Sequence, residues 1–555
     1  MPDDSTKSLH RHARLIGGLT LVSRVLGLVR EGVAAHFLGA KSGAANAFAV
    51  AFLVPNLFRK LLGEGALSQA FIPLYAQAHK RGQTESGDTP ERFAAGSVKL
   101  LVLILLALTV VGEIGLALAW LAYRTGERAD VRLMLIFTAV MLPYVVLVCG
   151  GAFLSAILQV HKRFGPPAFA PVLLNVVHIA VVFAGAAWLG LRGRGDPLDP
   201  HVNALQTKLA MALSVAVLVA GVLQVAVLLP ALRRIGFRFR LAVPTWTPDT
   251  RKMLLLSLPV AVSAAVLQVS VALDKAISAG LMQGTTTAGE VVTHFDAFGH
   301  TIRYPMEVGA TVRLGWAQLM YQFPLGIFAI AIATAIYPSL STAAIAEDKS
   351  EFRKVVRQGV LATLWEGIPA SVGLILVADP AVRLLFQHGY VTSHDATLIV
   401  RSTMVYAGGI WAYSMLQVIN RAFYALHDTK TPLIASVVNV VANVVVEIPL
   451  LWWLGEPAMA WGTLVSFAIQ AVVMLWLLDR RAGGLAIAEL WRPTAKIVIA
   501  TAVMTTALLA MWASPLARLP ATHWGWGGQL LTLTAVGGGV YLMLCRLMGV
   551  RTFGR

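Results

Sequence analysis

Runs of about 20 consecutive apolar residues recur from one end of this chain to the other, each long enough to cross a bilayer as a helix. In hydrocarbon every backbone N–H and C=O must be bonded internally, which leaves only helices and closed barrels. A barrel strand alternates polar and apolar residues over about ten positions, whereas these runs are continuous. The reading is an all-α polytopic membrane protein. Of 555 residues, 57% are apolar and 13% charged; soluble domains carry about 25% charged residues, and disordered chains are poor in apolar ones. Fourteen segments pass the length and hydropathy test, at roughly 15–37, 46–76, 97–122, 133–160, 168–190, 209–231, 253–281, 314–340, 355–377, 398–425, 432–454, 458–478, 494–512 and 527–548. The second is the least regular, with Pro55, Gly63, Gly65 and Pro73 interrupting it. Such breaks are tolerated only where neighbours or a cavity satisfy the freed backbone groups.

The net charge of +17 would suggest nucleic acid in a soluble protein. In a membrane protein it points instead to basic cytoplasmic loops, and no nucleic-acid partner is expected. With the N-terminus and its Lys7, Arg11 and Arg14 placed in the cytoplasm, Lys and Arg concentrate on that side. Arg233, Arg234, Arg238, Arg240, Arg251 and Lys252 crowd a single loop. Both termini are therefore expected in the cytoplasm. The first apolar run holds Arg24 and Arg30 and lacks a small-residue cleavage site, so it is read as a retained helix. Cys149 and Cys545 lie within apolar runs and read as packing residues.

Two short matches indicate an internal duplication. Ala70-Phe71-Ile72-Pro73 is answered by Ala335-Ile336-Tyr337-Pro338, 265 residues on, and Asn175-Val176-Val177 by Asn439-Val440-Val441, 264 residues on. An offset of six spans preserves orientation, giving two parallel six-helix repeats plus two C-terminal helices. The expected divisions are 1–232 (segments 1–6), 233–480 (segments 7–12) and 481–555 (segments 13 and 14). Transporters built from such repeats bind cargo between the halves. The connection at 282–313 contains His294, Asp296 and His300, whose spacing fits no common metal motif, and it reads as a solvated loop.

Ionisable residues inside spans carry the functional signal, because an arginine at the bilayer centre costs about 2.5–3.5 kcal/mol even on the lenient insertion scale. Segment 1 holds Arg24, Arg30 and Glu31; segment 2 holds Arg59, Lys60 and Glu64. One reading is internal salt bridges, with Lys60 paired to Glu64 at i,i+4 and the basic side chains reaching toward the surface. The other is an arginine-lined aqueous cavity for an anionic head group, since the planar guanidinium fork matches phosphate oxygens and stays charged. Segment 7 holds Asp274 and Lys275, either an ion pair or, through Asp274, part of a cation site. Asn439 and Asn443, four apart, could share one face of segment 11. No phosphate-binding glycine loop, nucleophile elbow or zinc motif is present.

The stretch Ser23-Arg24-Val25-Leu26-Gly27-Leu28-Val29-Arg30-Glu31 resembles the lipid II flippases of the MurJ (MviN) family. The likeness continues through Pro55-Asn56-Leu57-Phe58-Arg59-Lys60, Glu64-Gly65-Ala66-Leu67-Ser68-Gln69-Ala70-Phe71-Ile72-Pro73, Phe164-Gly165-Pro166-Pro167 and Gln322-Phe323-Pro324-Leu325-Gly326. The resemblance implies fourteen helices and membership of the multidrug/oligosaccharidyl-lipid/polysaccharide exporter superfamily. It also implies that the chain moves undecaprenyl-diphosphate-linked peptidoglycan precursor (lipid II) between leaflets of the bacterial cytoplasmic membrane by alternating access, without breaking bonds. Arg24, Arg30 and Arg59 match the family's cavity arginines, and Lys60, Glu31, Glu64 and Asn46 complete the candidate binding set; Asn46 stands where many members have Asp. Segments 13 and 14 match the groove for the polyprenyl tail. For the sodium site of some members, Asp274, Asn439 and Thr463 match while Asn443 replaces an acidic ligand, which leaves one carboxylate and weakens the case for a hard cation. Coupling to Na+ or H+ and contacts with membrane lipids and cell-wall synthases are the further expectations, with no other cofactor. Leu319 stands where many members carry Arg, with Gln318 and Arg313 as poor substitutes. The alternatives are an exporter of another lipid-linked glycan or of drugs, and a non-transporting scaffold for cell-wall synthesis. The arginine surplus argues against cationic drugs.

Overall fold

Apolar runs bounded by Thr-Pro or Asp-Pro pairs become long helices here, because the hydroxyl or carboxylate caps the first turn and proline needs no donor there. Thr89 caps α5 by accepting from Arg92 N–H (3.3 Å), and Asp199 caps α9 by accepting from the amides of His201 and Val202. Thr247 and Thr250 form a reciprocal capping box at the start of α10. The computed structural model describes all residues except 1–2, 64–65, 127, 197, 238–243, 287–289, 298, 347–348, 516–518 and 551–555; the side chains at 3–16, 66–69, 259–260, 262–264 and 267 also lie outside the description.

In chain order the helices are α1 (Asp3–Leu38), α2 (Gly43–Ala51), α3 (Leu53–Phe58), α4 (Ala66–Arg81), α5 (Pro90–Tyr123), α6 (Ala129–Met141), α7 (Tyr144–Val160), α8 (Gly165–Leu189), α9 (Pro200–Arg234) and α10 (Pro248–Leu281). They continue as α11 (Ala310–Ile327), α12 (Ala329–Ile345), α13 (Ser350–Phe386), α14 (Ser393–Ala407), α15 (Ile410–Ala425), α16 (Lys430–Leu454), α17 (Pro457–Arg481), α18 (Trp491–Trp512) and α19 (His523–Leu547). Among the described residues ten helical stretches are long and apolar enough to cross a membrane, or eleven if α6 and α7, bent by 41° at Leu142–Pro143, form one span. The chain is thus a multi-pass, all-α membrane protein. The other three of the fourteen expected segments are also helical. Segment 1 is α1, with three charges among Arg24, Arg30 and Glu31; segment 7 is α10; segment 10 is split by Gly408–Gly409 into α14 and α15, each shorter than a full span. Segment 2 is broken as its prolines and glycines suggest: α2, α3, a π-helical turn at Arg59–Gly63, then α4.

Packing divides the chain into two units, 1–304 and 305–555. In the first, α8 lies between α1 and α9, α2 packs on α6 and α9, and α7 on α9, α5 and α4. Helix α10, expected to open the second half, packs on α4 in the first unit. Its start is tied there by Lys252 to Glu85 (2.6 Å) and by a short hydrogen bond from Ser86 to Asp249. In the second unit α13 packs on α15, α14, α18 and α19, and α12, α13, α15 and α17 share a core with fully buried Phe352, Val356, Ile419, Phe423 and Met474. The connection at 282–313 is not all loop. It forms two antiparallel pairs, β1 (Gly284–Thr285) with β2 (Val291–Val292), and β3 (His294–Ala297) with β4 (His300–Arg303). Arg128 pins its base, pairing with Asp130 (2.6 Å), donating to the Ala279 carbonyl (3.1 Å) and lying over the Tyr304 ring. His294, Asp296 and His300 are exposed, and among the described residues no three His, Cys, Asp or Glu side chains converge as metal ligands would.

Candidate functional site

The break between α2 and α3 and the π turn after α3 determine what faces the interior of the first unit. Pro55 supplies no amide hydrogen to the helix, and an inserted π turn shifts the register of the residues it carries, a feature frequent at functional sites. Phe52, Asn56 and Arg59 are brought onto one wall of a cavity of about 580 Å³, within the range of small-molecule sites, about 300–1,000 Å³. Ser23 and Arg30 of α1, Tyr144 and Gln159 of α7, Asn175 of α8 and Gln224 of α9 line the rest.

Two guanidinium groups and no carboxylate are among these lining residues. Arg59 donates through Nε (3.2 Å) and Nη2 (2.8 Å) to the Asn56 side-chain oxygen. Arg30 pairs with its neighbour Glu31 at 2.6 Å, and its guanidinium carbon lies 5.9 Å from the centre of the Phe52 ring. The remaining walls are tied by neutral hydrogen bonds. Tyr144 donates to Gln224 Oε1 (3.1 Å), and the Asn175 amide donates to the Ser23 carbonyl (2.9 Å). Chemically the arrangement offers fixed positive charge, amide and hydroxyl groups around it, and apolar walls, features that suit an anion.

The other candidate residues are distributed unevenly around it. Arg24 is half-buried on α1 but is not among the lining residues. Lys60 is exposed, and Glu64 lies outside the described residues. Asn46 is buried in the first turn of α2, where its amide donates to the carbonyls of Ala40 and Ser42 in the connection from α1 (both 3.0 Å); it holds backbone and is not among the cavity's lining residues.

The candidate cation ligands fall in both units. Asp274 belongs to α10 in the first; Asn439, Asn443 and Thr463 are buried on α16 and α17 in the second. Helical spacing puts Asn439, Asn443 and Glu447 on one face of α16. Asn443 donates to Glu447 (3.3 Å), and Thr463 donates to the Met459 carbonyl (3.0 Å). Glu447, fully buried, was missed in reading the sequence, as was Glu366 on α13, which accepts from Ser414 (3.1 Å). Treating every ionisable residue within a span as a functional candidate would have found both.

Arg313 is also placed decisively. It is 0% exposed and donates to Asp395 (2.7 Å), to both oxygens of Glu456 and to the Val308 carbonyl (2.9 Å). Its donors are committed to these partners, so it does not substitute for the arginine absent at Leu319. Gln318 is likewise engaged, donating to Tyr406 (3.1 Å).

Comparison with known proteins identifies relatives of this arrangement. A sequence model of the family described as "Lipid II flippase MurJ" matches residues 34–519. A probable lipid II flippase MurJ from Rhizobium tropici is 30% identical across 96% of this chain and 93% of its own length. The lipid II flippase MurJ of Burkholderia cenocepacia is 30% identical across 77% of this chain and 75% of its own. Among solved structures, a lipid II flippase MurJ in an inward closed conformation superposes with a TM-score of 0.72 at 21% identity, covering 96% of this chain and 98% of that one. An inward-facing MATE family transporter of the MOP superfamily shares the fold at a TM-score of 0.60 and 17% identity, over 83% of this chain and 95% of its own. From a family match covering most of its length and a near full-length relative at 30% identity, the chain belongs to the lipid II flippase MurJ family.

Proposed function

We propose that this protein is a flippase that carries lipid II from the inner to the outer leaflet of the bacterial cytoplasmic membrane by alternating access, breaking no covalent bond. The observation that carries the proposal is the cavity with Arg30 and Arg59 on its wall and no carboxylate among its described lining residues. A diphosphate has the charge and oxygen geometry such a wall accepts, while the polyprenyl tail stays in lipid, along α18 and α19. Arg24, about one and two-thirds turns from Arg30 on the same helix, serves the entry of the head group rather than its final seat. Both termini lie in the cytoplasm, as the basic loop around Arg233, Arg234, Arg251 and Lys252 favours. The candidate coupling-ion ligands, for Na+ or H+, are Asn439, Asn443 and Thr463 on α16 and α17, and Asp274 on α10. Glu447 adds a carboxylate to this set that compensates for Asn443. The duplicated lobes are 1–232 and 233–480, with 481–555 as the tail groove. Cell-wall synthases that consume the product outside are the expected protein partners.

The test is lipid II exposure in bacteria depleted of their own flippase and expressing this chain, read by a membrane-impermeant enzyme that cleaves outward-facing lipid II. Cleavage restored by the wild type but not by Arg59→Ala or Arg30→Ala supports cargo and cavity together. Full activity of both variants, each confirmed in the membrane, refutes the cavity. No restoration by the wild type refutes lipid II as cargo and favours another lipid-linked glycan, a reading to which the absent charge at Leu319 lends weight.

A further inference from the structure

A titratable group beside the cavity has no role in the transport reading. His178 lies on α8 one turn beyond Asn175, and Asn175 lines the cavity. The imidazole is 3% exposed, and among the described residues neither ring nitrogen meets hydrogen-bond geometry, the Leu213 backbone being the polar group beside it. A histidine kept only for packing would ordinarily have a partner on at least one nitrogen. The ring is held instead by aromatic edges, with Phe48 at 6.2 Å and 79° and Phe52 at 6.1 Å and 73° between centroids and planes.

Phe52 is shared. It lines the cavity, and the Arg30 guanidinium carbon lies 5.9 Å from the centre of its ring. One phenyl group thus has a permanent cation near it and an imidazole against its edge. Among the described residues Arg30, on α1, is the charged group that acts on His178; α2 presents Phe48, and α9 presents the Leu213 backbone. A second positive charge on this ring would face the like charge of Arg30 across Phe52. An anion on the arginines reverses the sign of the local field and removes most of that opposition.

We propose that His178 is a proton-binding site which loads when an anion occupies the Arg30–Arg59 cavity. The proposal rests on the anionic-cargo reading above and adds a second ligand, the proton, to the same site. No bond is made beyond N–H: the proton comes from water and binds whichever ring nitrogen is unprotonated. Linkage is reciprocal, so a bound proton raises anion affinity by the factor by which the anion raises proton affinity. Anion affinity therefore falls as pH rises through the titration of the ring, at most about tenfold per pH unit for one proton.

The experiment uses the full chain in detergent micelles with farnesyl diphosphate as the probe. Calorimetric titration in buffers of different ionisation enthalpy counts protons exchanged on binding, for wild type, His178→Gln and His178→Asn. The probe's own phosphate ionises near pH 6 and acts in the opposite sense, equally in all three proteins, so differences between them report the ring. Wild type is expected to take up close to one proton more than either variant and to lose affinity with pH more steeply. Binding with equal proton counts in all three overturns the proposal and leaves the anion cavity standing. Absence of binding by wild type at every pH brings down the anion cavity, and the proposal with it. Should neither variant fold, wild type alone decides: binding without net uptake anywhere between about pH 5 and 8 overturns the proposal.

Discussion

Replacing Arg313 by Met tests whether this arginine is a structural clamp or a free charge available to cargo. In the structure it joins the beginnings of three helices: Arg313 from α11, Asp395 from the first turn of α14 and Glu456 immediately before α17. Its removal strands two carboxylates unequally. Asp395 keeps hydrogen bonds from the Thr392 amide (3.1 Å) and hydroxyl (2.7 Å), whereas Glu456, 3% exposed, loses the bonds to both of its oxygens. Removing one partner of a buried ion pair costs about 3–5 kcal/mol, mostly as the penalty of an uncompensated charge. Most of that loss should therefore trace to Glu456. Adding Glu456→Gln to Arg313→Met should recover about 1–3 kcal/mol, the usual coupling between directly contacting groups. The assay is thermal unfolding of the purified full chain in detergent, followed by tryptophan fluorescence, for wild type, both single variants and the double. Arg313→Met should leave farnesyl diphosphate affinity unchanged below its unfolding temperature. Wild-type stability in Arg313→Met, or a double variant weaker than Arg313→Met, would refute the clamp; lost affinity in the folded single variant would make Arg313 part of the cargo site.

Other perturbations give independent tests. Arg30→Gln and Arg59→Gln should each weaken farnesyl diphosphate binding about 10- to 100-fold, the equivalent of one charged hydrogen bond of about 1.5–3 kcal/mol, while Arg24→Gln should weaken it less; calorimetry on the three variants gives the order. Gly462→Ala would place a Cβ 2.8 Å from the Glu447 Cβ and 3.0 Å from the Asn443 carbonyl oxygen. It should push α16 and α17 apart at a cost of about 1–3 kcal/mol, seen as a lower unfolding temperature. Asp428 precedes α16; burial pushes its carboxyl up, but hydrogen bonds from the Thr431 amide and hydroxyl and the Arg481 guanidinium (3.2 Å) outweigh it and hold it below the usual carboxylate range. A carboxyl depressed on folding contributes stability above its unfolded value of about 3.9 and loses it as pH falls through the folded value. Asp428→Asn should therefore cost about 0.5–2 kcal/mol at neutral pH, as for loss of a helix cap, and the difference from wild type should shrink in unfolding scans at decreasing pH below about 4.

What could be read in the sequence was set by the distance over which each signal acts. Apolar runs are local, so α8 (Gly165–Leu189) and α16 (Lys430–Leu454) fall within a few residues of the expected 168–190 and 432–454. The breaks in the second segment were equally visible, because Pro55 and Gly63 disrupt the helix by their own chemistry. Pairings were not. Arg313 meets partners 82 and 143 positions away, and nothing near it in the sequence separates a clamp from a cargo contact. The docking of α10 on α4 was hidden for the same reason: a duplication shows which helices correspond, not which unit each one packs against. In the cavity both kinds of signal operate. The excess of arginine over carboxylate in the first two segments was countable in the sequence, but the final distribution depends on the fold. Arg30 takes Glu31, Arg59 takes the neutral oxygen of Asn56, and Arg24 stays outside the lining. An Asn56→Asp substitution, nearly unchanged in shape, sets a carboxylate against Arg59 and cancels part of the positive charge that this wall presents; it should weaken anion binding. Equal affinity in Asn56→Asp and wild type would mean that the field of this cavity is not what holds the anion.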